Sequence, residues 1–319
     1  MHTCPPPVDA LDEWLEANGT VEDNYGHLLL EQVKPIDQAL IDALRPYFES
    51  AHLDAREHFH DQIGIDLHPD AAASGAHACY PDCLPSKAKR GLFGEVVAGL
   101  VTEAYRDDFV GQHPWSVPIF LFRFHADAEA YLWDLRRDPT RTREVYGRFG
   151  SDFVGIRLDA TGTVVRIIVG EAKWRASLTP SAVAALLHGK KDAIDPNTGK
   201  KVHNNRGIWF ELNRDSDLPK GLRQLQRLLE LRDKAGHANA IVSMDEAIVA
   251  DTPTIPRTNL VVIAGNAPSK REKLSVLIPW KAPPTDYTAP HDLQIVELIL
   301  ENGESLIDGL YSSLWQDAA

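Results

Sequence analysis

Sulfur is scarce in this sequence. Its 319 residues include two methionines and three cysteines. Three thiols cannot pair completely within one chain, and disulfide frameworks belong to oxidising compartments, so the count points to a reducing one. With so little Met, and seven tryptophans, the core is expected to be rigid. Long hydrophobic runs are missing too. No stretch approaches the ~20 uncharged apolar residues of a membrane span. The opening residues, Met1 to Pro7, have neither the basic nor the apolar region of a secretory signal. A cytoplasmic protein without membrane contact is expected. There is no Gly-x-x-x-x-Gly-Lys-Ser/Thr loop, so the chain is not expected to hydrolyse ATP itself. Internal repeats, heptads and low-complexity tracts are absent as well.

What remains is ordinary globular material, 44% apolar and 25% charged, enough for one large or two modest domains. The net charge of −13 argues against nucleic-acid binding until its distribution is read. Residues 1–70 hold 3 Lys/Arg against 15 Asp/Glu, whereas residues 172–234 hold 13 against 7. A basic block therefore sits inside an acidic protein.

Periodicity divides the chain at Leu67–Pro85, a Pro- and Ala-rich loop. Residues 1–84 form an acidic, mainly helical region, with helices expected over Asp9–Asn18 and from Pro35 to about Gly64. Residues 85–319 form the second domain. There, Lys87–Val101 reads as a buried helix and Pro118–Phe124 as a central strand. Ala126–Leu135 reads as helical and Arg136–Arg148 as a basic connector. Asp152–Leu158 and Thr163–Lys173 read as a β-hairpin about a turn at Asp159–Gly162. Thr179 caps a helix over Pro180–Leu187, and Asp192–Arg206 is a basic loop. A helix over Leu222–Lys234 ends at Gly236. Strands follow at Asn259–Gly265, Leu274–Trp280 and Leu293–Leu300, then a helix over Ser305–Trp315. The class is α/β (α+β), with a central mixed sheet flanked by helices.

Side chains two apart on a strand share a face, so Glu171 and Lys173 project together, roughly 7 Å apart at Cα. The hairpin register places Asp152 opposite Val169 or, two residues looser, opposite Glu171. Two converging carboxylates make a hard oxygen site suited to Mg²⁺ or Mn²⁺. Such a metal activates water and steadies the leaving oxygen in phosphodiester hydrolysis. Lys173 would orient the water or neutralise the phosphate, and Glu95, upstream in a helix, would add a ligand or a water-mediated contact. Glu-x-Lys alone is commonplace, and as a solvated pair it is worth under about 1 kcal/mol. The apolar strand before it, Val164–Val169, and the order Glu95, Asp152, Glu171, Lys173 distinguish this instance. Arg175, Lys190, Lys191, Lys200, Lys201 and Arg206 follow, with Trp174 and Trp209 among them, as charges for phosphates and aromatics for bases.

These residues together resemble the PD-(D/E)xK nuclease superfamily: Gly94-Glu95-Val96 in a helix, Ser151-Asp152-Phe153 at a strand start, and Glu171-Ala172-Lys173. Ser151 stands where the motif has proline. Gly91–Arg175, with Asp292–Leu298, is most similar to the HamA nuclease subunits of the Hachiman anti-phage defence system. The resemblance spans about residues 85–315. It implies a restriction-endonuclease-like core, Mg²⁺-dependent DNA cleavage, and a HamB-like helicase partner that holds the nuclease in check and acts with it. The alternatives are a stand-alone restriction-type enzyme and a catalytically idle nuclease fold serving as a DNA-binding scaffold. The acidic region is expected to cover the basic surface or to dock a partner that does.

Other motifs are explained by structure alone. His77, Cys79 and Cys83, with His68, lack the fourth clear ligand that structural zinc needs. Glu57–Asp61 reads as surface helix, Asp159 as turn chemistry and Glu103 as solvent-facing.

Overall fold

The structure, a computed structural model, describes residues 1–63, 80–81, 84–124, 153–214, 220–250 and 255–316. In chain order its elements are α1 (Val8–Trp14), β1 (Leu15–Glu22), β2 (Tyr25–Gln32), α2 (Gln38–Ile63), α3 (Ser86–Ala104), β3 (Phe153–Leu158), β4 (Val164–Arg175) and α4 (Pro180–His188). They continue with β5 (Ala193–Ile194), β6 (Lys201–Val202), α5 (Ile208–Arg214), α6 (Lys220–Asp233), α7 (Ala238–Val249), β7 (Arg257–Asn266), β8 (Asp292–Leu300) and α8 (Gly303–Ser313).

Near-continuous apolar runs mark strands covered on both faces. β7 and β8 are two such runs, and they lie at the centre of a six-stranded sheet ordered β1-β2-β8-β7-β4-β3. β2, β8, β7 and β4 run parallel, while β1 and β3 close the two edges as antiparallel hairpin partners. The α/β class with a mixed, helix-flanked sheet therefore holds.

Alternation along β4 sorts the helices into two layers. Ile168, Ala172 and Trp174 join a core with residues of α2, α3 and α8. Ile167 and Val169 face the other way, toward Leu225, Leu229 and Met244 of α6 and α7. On this second face, Val261, Ile263 and Ile295 pack under Val183, Leu187 and Trp209 of α4 and α5.

Several expectations need correction. The first helix stops at Trp14, and Leu15–Asn18 is already strand. The acidic N-terminal residues thus contribute a hairpin to the main sheet, β2 pairing with β8 from Tyr25↔Leu293 to Glu31↔Ile299. Pro118–Phe124 is not a strand. Its side chains alternate between the two cores, Ile119 and Leu121 to one and Phe120 and Phe122 to the other. Among the described residues, the chain just before it meets the sheet through the Ser116–Ile156 bridge, because a pattern of burial does not supply a pairing partner. Leu274–Trp280 is irregular because carboxylates take its amides. Leu274 N donates to Glu31, and Leu277 N and Ile278 N donate to Glu297. Glu103 is turned inward, accepting from Tyr47 Oη at 2.7 Å and from Val117 N at 2.8 Å. The hairpin turn, the Thr179 cap and the terminal helix form where expected. Ala126–Leu135, Arg136–Arg148 and the His68/His77/Cys79/Cys83 group lie outside the described residues.

His52 of α2 is fully buried between two phenols, with Nδ1 2.7 Å from Tyr80 Oη and Nε2 3.2 Å from Tyr311 Oη. Burial pushes its pKa down to about 3. The unfolded chain binds a proton below about pH 6.5 that the folded one refuses until about pH 3. His52 therefore supports the fold above pH 6.5, and that support is lost as pH falls through this window. Urea melts from pH 7 to 4 should show a decline of up to about 1.4 kcal/mol per unit from this group. H52Q should flatten the slope relative to the wild type; equal slopes would refute the assignment.

Candidate active site

β4 presents Glu171 and Lys173 on the second face of the sheet, the side covered by α4–α7. Their parity follows from Ile167 and Val169, which share that face. Across the parallel ladder Glu171 lies beside Val261, and Lys173 beside Ile263. The α6–α7 pair covers the first half of the strand and α4–α5 covers β7 and β8, so the two side chains sit at the junction of the helix pairs. Lys173 Nζ donates to Glu171 Oε2 at 2.8 Å. The Glu171 side chain is 13% exposed and that of Lys173 is 32% exposed, so a solvated ligand can reach both.

The structure brings these two together. Asp152 lies outside the described residues; Phe153, which follows it, pairs with Gly170, and Val154 pairs with Val169. Glu95 is buried in α3, on the first face. The neighbouring Gly94 packs on Ala172, the residue between Glu171 and Lys173, so the helix and the pair approach β4 from opposite sides. Glu95 also stands close enough to Tyr311 to add to the rise that burial causes in that phenol's pKa.

Among the described residues, no group of three or more His, Cys, Asp or Glu is placed to hold a metal ion. Glu171 supplies the kind of hard oxygen donor that Mg²⁺ or Mn²⁺ takes. The second carboxylate expected beside it, Asp152, lies outside the described residues.

All six basic residues expected to meet phosphate, Arg175, Lys190, Lys191, Lys200, Lys201 and Arg206, are exposed. The Asp192–Arg206 loop is an ordered hairpin, with Ala193 opposite Val202 and Ile194 opposite Lys201. The role foreseen for Trp174 is overturned. It faces the first layer against Phe93, and its Nε1 donates to Glu304 Oε1 at 3.0 Å, so no base can stack on it. Trp209 is 4% exposed and presents at most an edge.

A polar chain on the same face escaped the sequence reading. Arg257 Nε donates to Asn259 Oδ1 at 2.7 Å, Asn259 Nδ2 to Tyr287 Oη at 2.9 Å, and Tyr287 Oη to the His291 carbonyl at 2.9 Å. Asn259 pairs with Val169 and is thus a diagonal neighbour of Glu171, roughly 7–8 Å away at Cα. Its signal was present as an amide within an otherwise apolar strand.

Comparison of the chain with models of known protein families finds no match, and comparison with curated proteins finds none either.

The Glu171–Lys173 pair, whose Lys173 side chain is 32% exposed, should matter little to stability. K173M should shift the urea midpoint by the equivalent of less than about 1 kcal/mol. A loss of several kcal/mol would show that the pair is structural.

Proposed function

We propose that this chain is a metal-dependent DNA endonuclease, acting as the nuclease subunit of an anti-phage complex with a helicase partner. The observation that carries the reading is the Glu171–Lys173 pair, side by side at 2.8 Å in the carboxyl half of a buried parallel strand. In open parallel sheets ligands bind toward the carboxyl ends of the strands. The exposed basic hairpin that follows α4 supplies charge for a polyanion.

Asp152 and Glu171 would hold Mg²⁺ or Mn²⁺, which polarises a phosphodiester and lowers the pKa of a water when bound. Lys173 Nζ, already fixed by Glu171, would donate to a non-bridging phosphate oxygen and so oppose the charge that builds there. Glu95, buried in α3 on the other face of the sheet, would bear on the pair only indirectly, through the packing of α3 on β4. Arg175 shares the parity of Lys173 and would steer the backbone. The second reading, an idle nuclease fold that holds DNA as a scaffold, draws on the absence of a three-ligand group among the described residues.

Plasmid and single-stranded DNA assays of the purified chain, with and without the helicase, decide between them. E171Q and K173M should each reduce cleavage by at least about 100-fold while the fold and DNA binding persist. Cleavage should also stop in EDTA and return with Mg²⁺ or Mn²⁺. Undiminished cutting by both variants, or full activity in chelator, would refute the nuclease assignment. Binding without any cutting under all conditions would favour the scaffold.

A further inference from the structure

α4 and α5 enclose a solvent-open cavity of about 360 Å³ that the nuclease reading does not use. Leu187, His188, Trp209 and Phe210 give it apolar and aromatic walls, and Asn205 and Asp286 add polar groups. The walls are fixed. Asn213 Nδ2 donates to the Asp286 carbonyl at 2.7 Å, and Asn213 Oδ1 accepts from Thr288 N at 2.8 Å. The Asp286 carboxylate, by contrast, makes no hydrogen bond or ion pair with any described residue, and it is exposed.

The basic hairpin begins and ends at this cavity. Gly189 follows His188, and Gly207 packs directly on the Leu187 carbonyl and Gly189, leaving no room for a Cβ. Asn204 N donates to the Lys190 carbonyl at 2.9 Å, and His203 Nδ1 bonds the Gly189 carbonyl at 2.6 Å, closing the base of the loop. Lys190 lies two residues after the pocket's His188, and Arg206 directly follows its Asn205. Both cations are exposed and make no ion pair with a described residue.

An aromatic-walled cavity with unpaired cations beside it and a spare acceptor at its mouth has the chemistry of a nucleotide subsite. We propose that it holds one unstacked nucleobase of a single-stranded DNA segment, with adjoining backbone phosphates on Lys190 and Arg206. This rests on the reading of the chain as a DNA-binding nuclease. Phe210, 39% exposed, and the more deeply buried Trp209 both line the cavity. A carboxylate repels phosphate but accepts hydrogen bonds from an exocyclic amino group. Asp286 therefore favours cytosine, adenine and guanine, whose exocyclic amino groups donate, over thymine, whose exocyclic groups are oxygen acceptors and whose one donor is the ring N3–H. Stacking supplies the affinity common to all bases.

The test is fluorescence anisotropy of the full chain, in EDTA so that nothing is cut, with labelled oligo-dC and oligo-dT of equal length. Oligo-dC should bind about 10-fold tighter. D286A should abolish that preference, and F210A should weaken both oligomers about 10-fold. K190A combined with R206A should lower the salt dependence of both. Circular dichroism checks that each variant is folded. Equal affinity for the two oligomers, with neither D286A nor F210A changing binding, overturns the proposal. The measurement is independent of cleavage: base preference in a protein that cuts nothing removes the nuclease reading and leaves the pocket. Cutting by a protein without the preference does the reverse.

Discussion

Everything in this molecule turns on the two-residue period of β4. The strand lies between β3 and β7 and is covered on both sides, so each side chain is committed to one layer or the other. Ile168, Ala172 and Trp174 complete the core under α2, α3 and α8, and Ile167 and Val169 complete the core under α6 and α7. A slip of one residue would exchange these sets and bury Glu171 and Lys173 against α3. Neither charge could be solvated there, and replacing the packing of Trp174 would cost several kcal/mol, since aromatic truncations in cores run at about 3–5 kcal/mol. The register that keeps the core intact is thus the one that presents the pair at the junction of the helix pairs.

Buried carboxylates play the complementary part at the other edge. Glu297 of β8 is fully buried and accepts from His27 Nε2 at 2.9 Å as well as from the amides of Leu277 and Ile278. Glu31 of β2 takes the amide of Leu274 and the guanidinium of Arg271. Thr20 Oγ1 donates to the Trp280 carbonyl at 2.7 Å, and Tyr25 Oη donates to the Pro279 carbonyl. The N-terminal hairpin therefore clamps the segment between β7 and β8. A buried carboxylate stripped of these donors would be an uncompensated charge costing about 3–5 kcal/mol. Glu31 is thus part of the fold and is not among the free charges of residues 1–70, whereas Asp9, Asp12, Glu13, Glu22 and Asp23 are exposed.

That result marks what the sequence could and could not say. Elements with strong local signals were legible: the β3–β4 hairpin with its Asp159 turn, the α4 helix with Thr179 as its cap, and the parallel strands of unbroken Val, Ile and Leu. The pairing of Glu171 with Lys173 followed from spacing alone. What stayed hidden depended on distant partners. Leu15–Glu22 alternates weakly, and it becomes a strand because β2 pairs with β8, more than 260 residues later. Leu274–Trp280 had strand composition, yet its amides answer to Glu31 and Glu297 rather than to a neighbouring strand. Pro118–Phe124 had the right burial without a ladder. Trp174 was visible as an aromatic near the motif, but only the parity of β4 reveals that it faces away.

The same parity bears on how the site is entered. Glu171, Lys173 and Arg175 share a face with Val261, Ile263 and Glu297, whose far end is roofed by the clamped 274–280 segment. The roof is fixed through backbone amides and cannot swing aside without exposing Glu297 unpaired. Among the described residues, the pair lies beside the seam between α6–α7 and α4–α5. The hairpin carrying Lys190, Lys191, Lys200 and Lys201 joins α4 to α5 on that side, and its strands are too short to bury any of these ammonium groups. Exposed positive charge is thus gathered on the loop that joins α4 to α5, and exposed negative charge lies along β1 and α1 at the far edge of the sheet. Net charge alone does not reveal this separation.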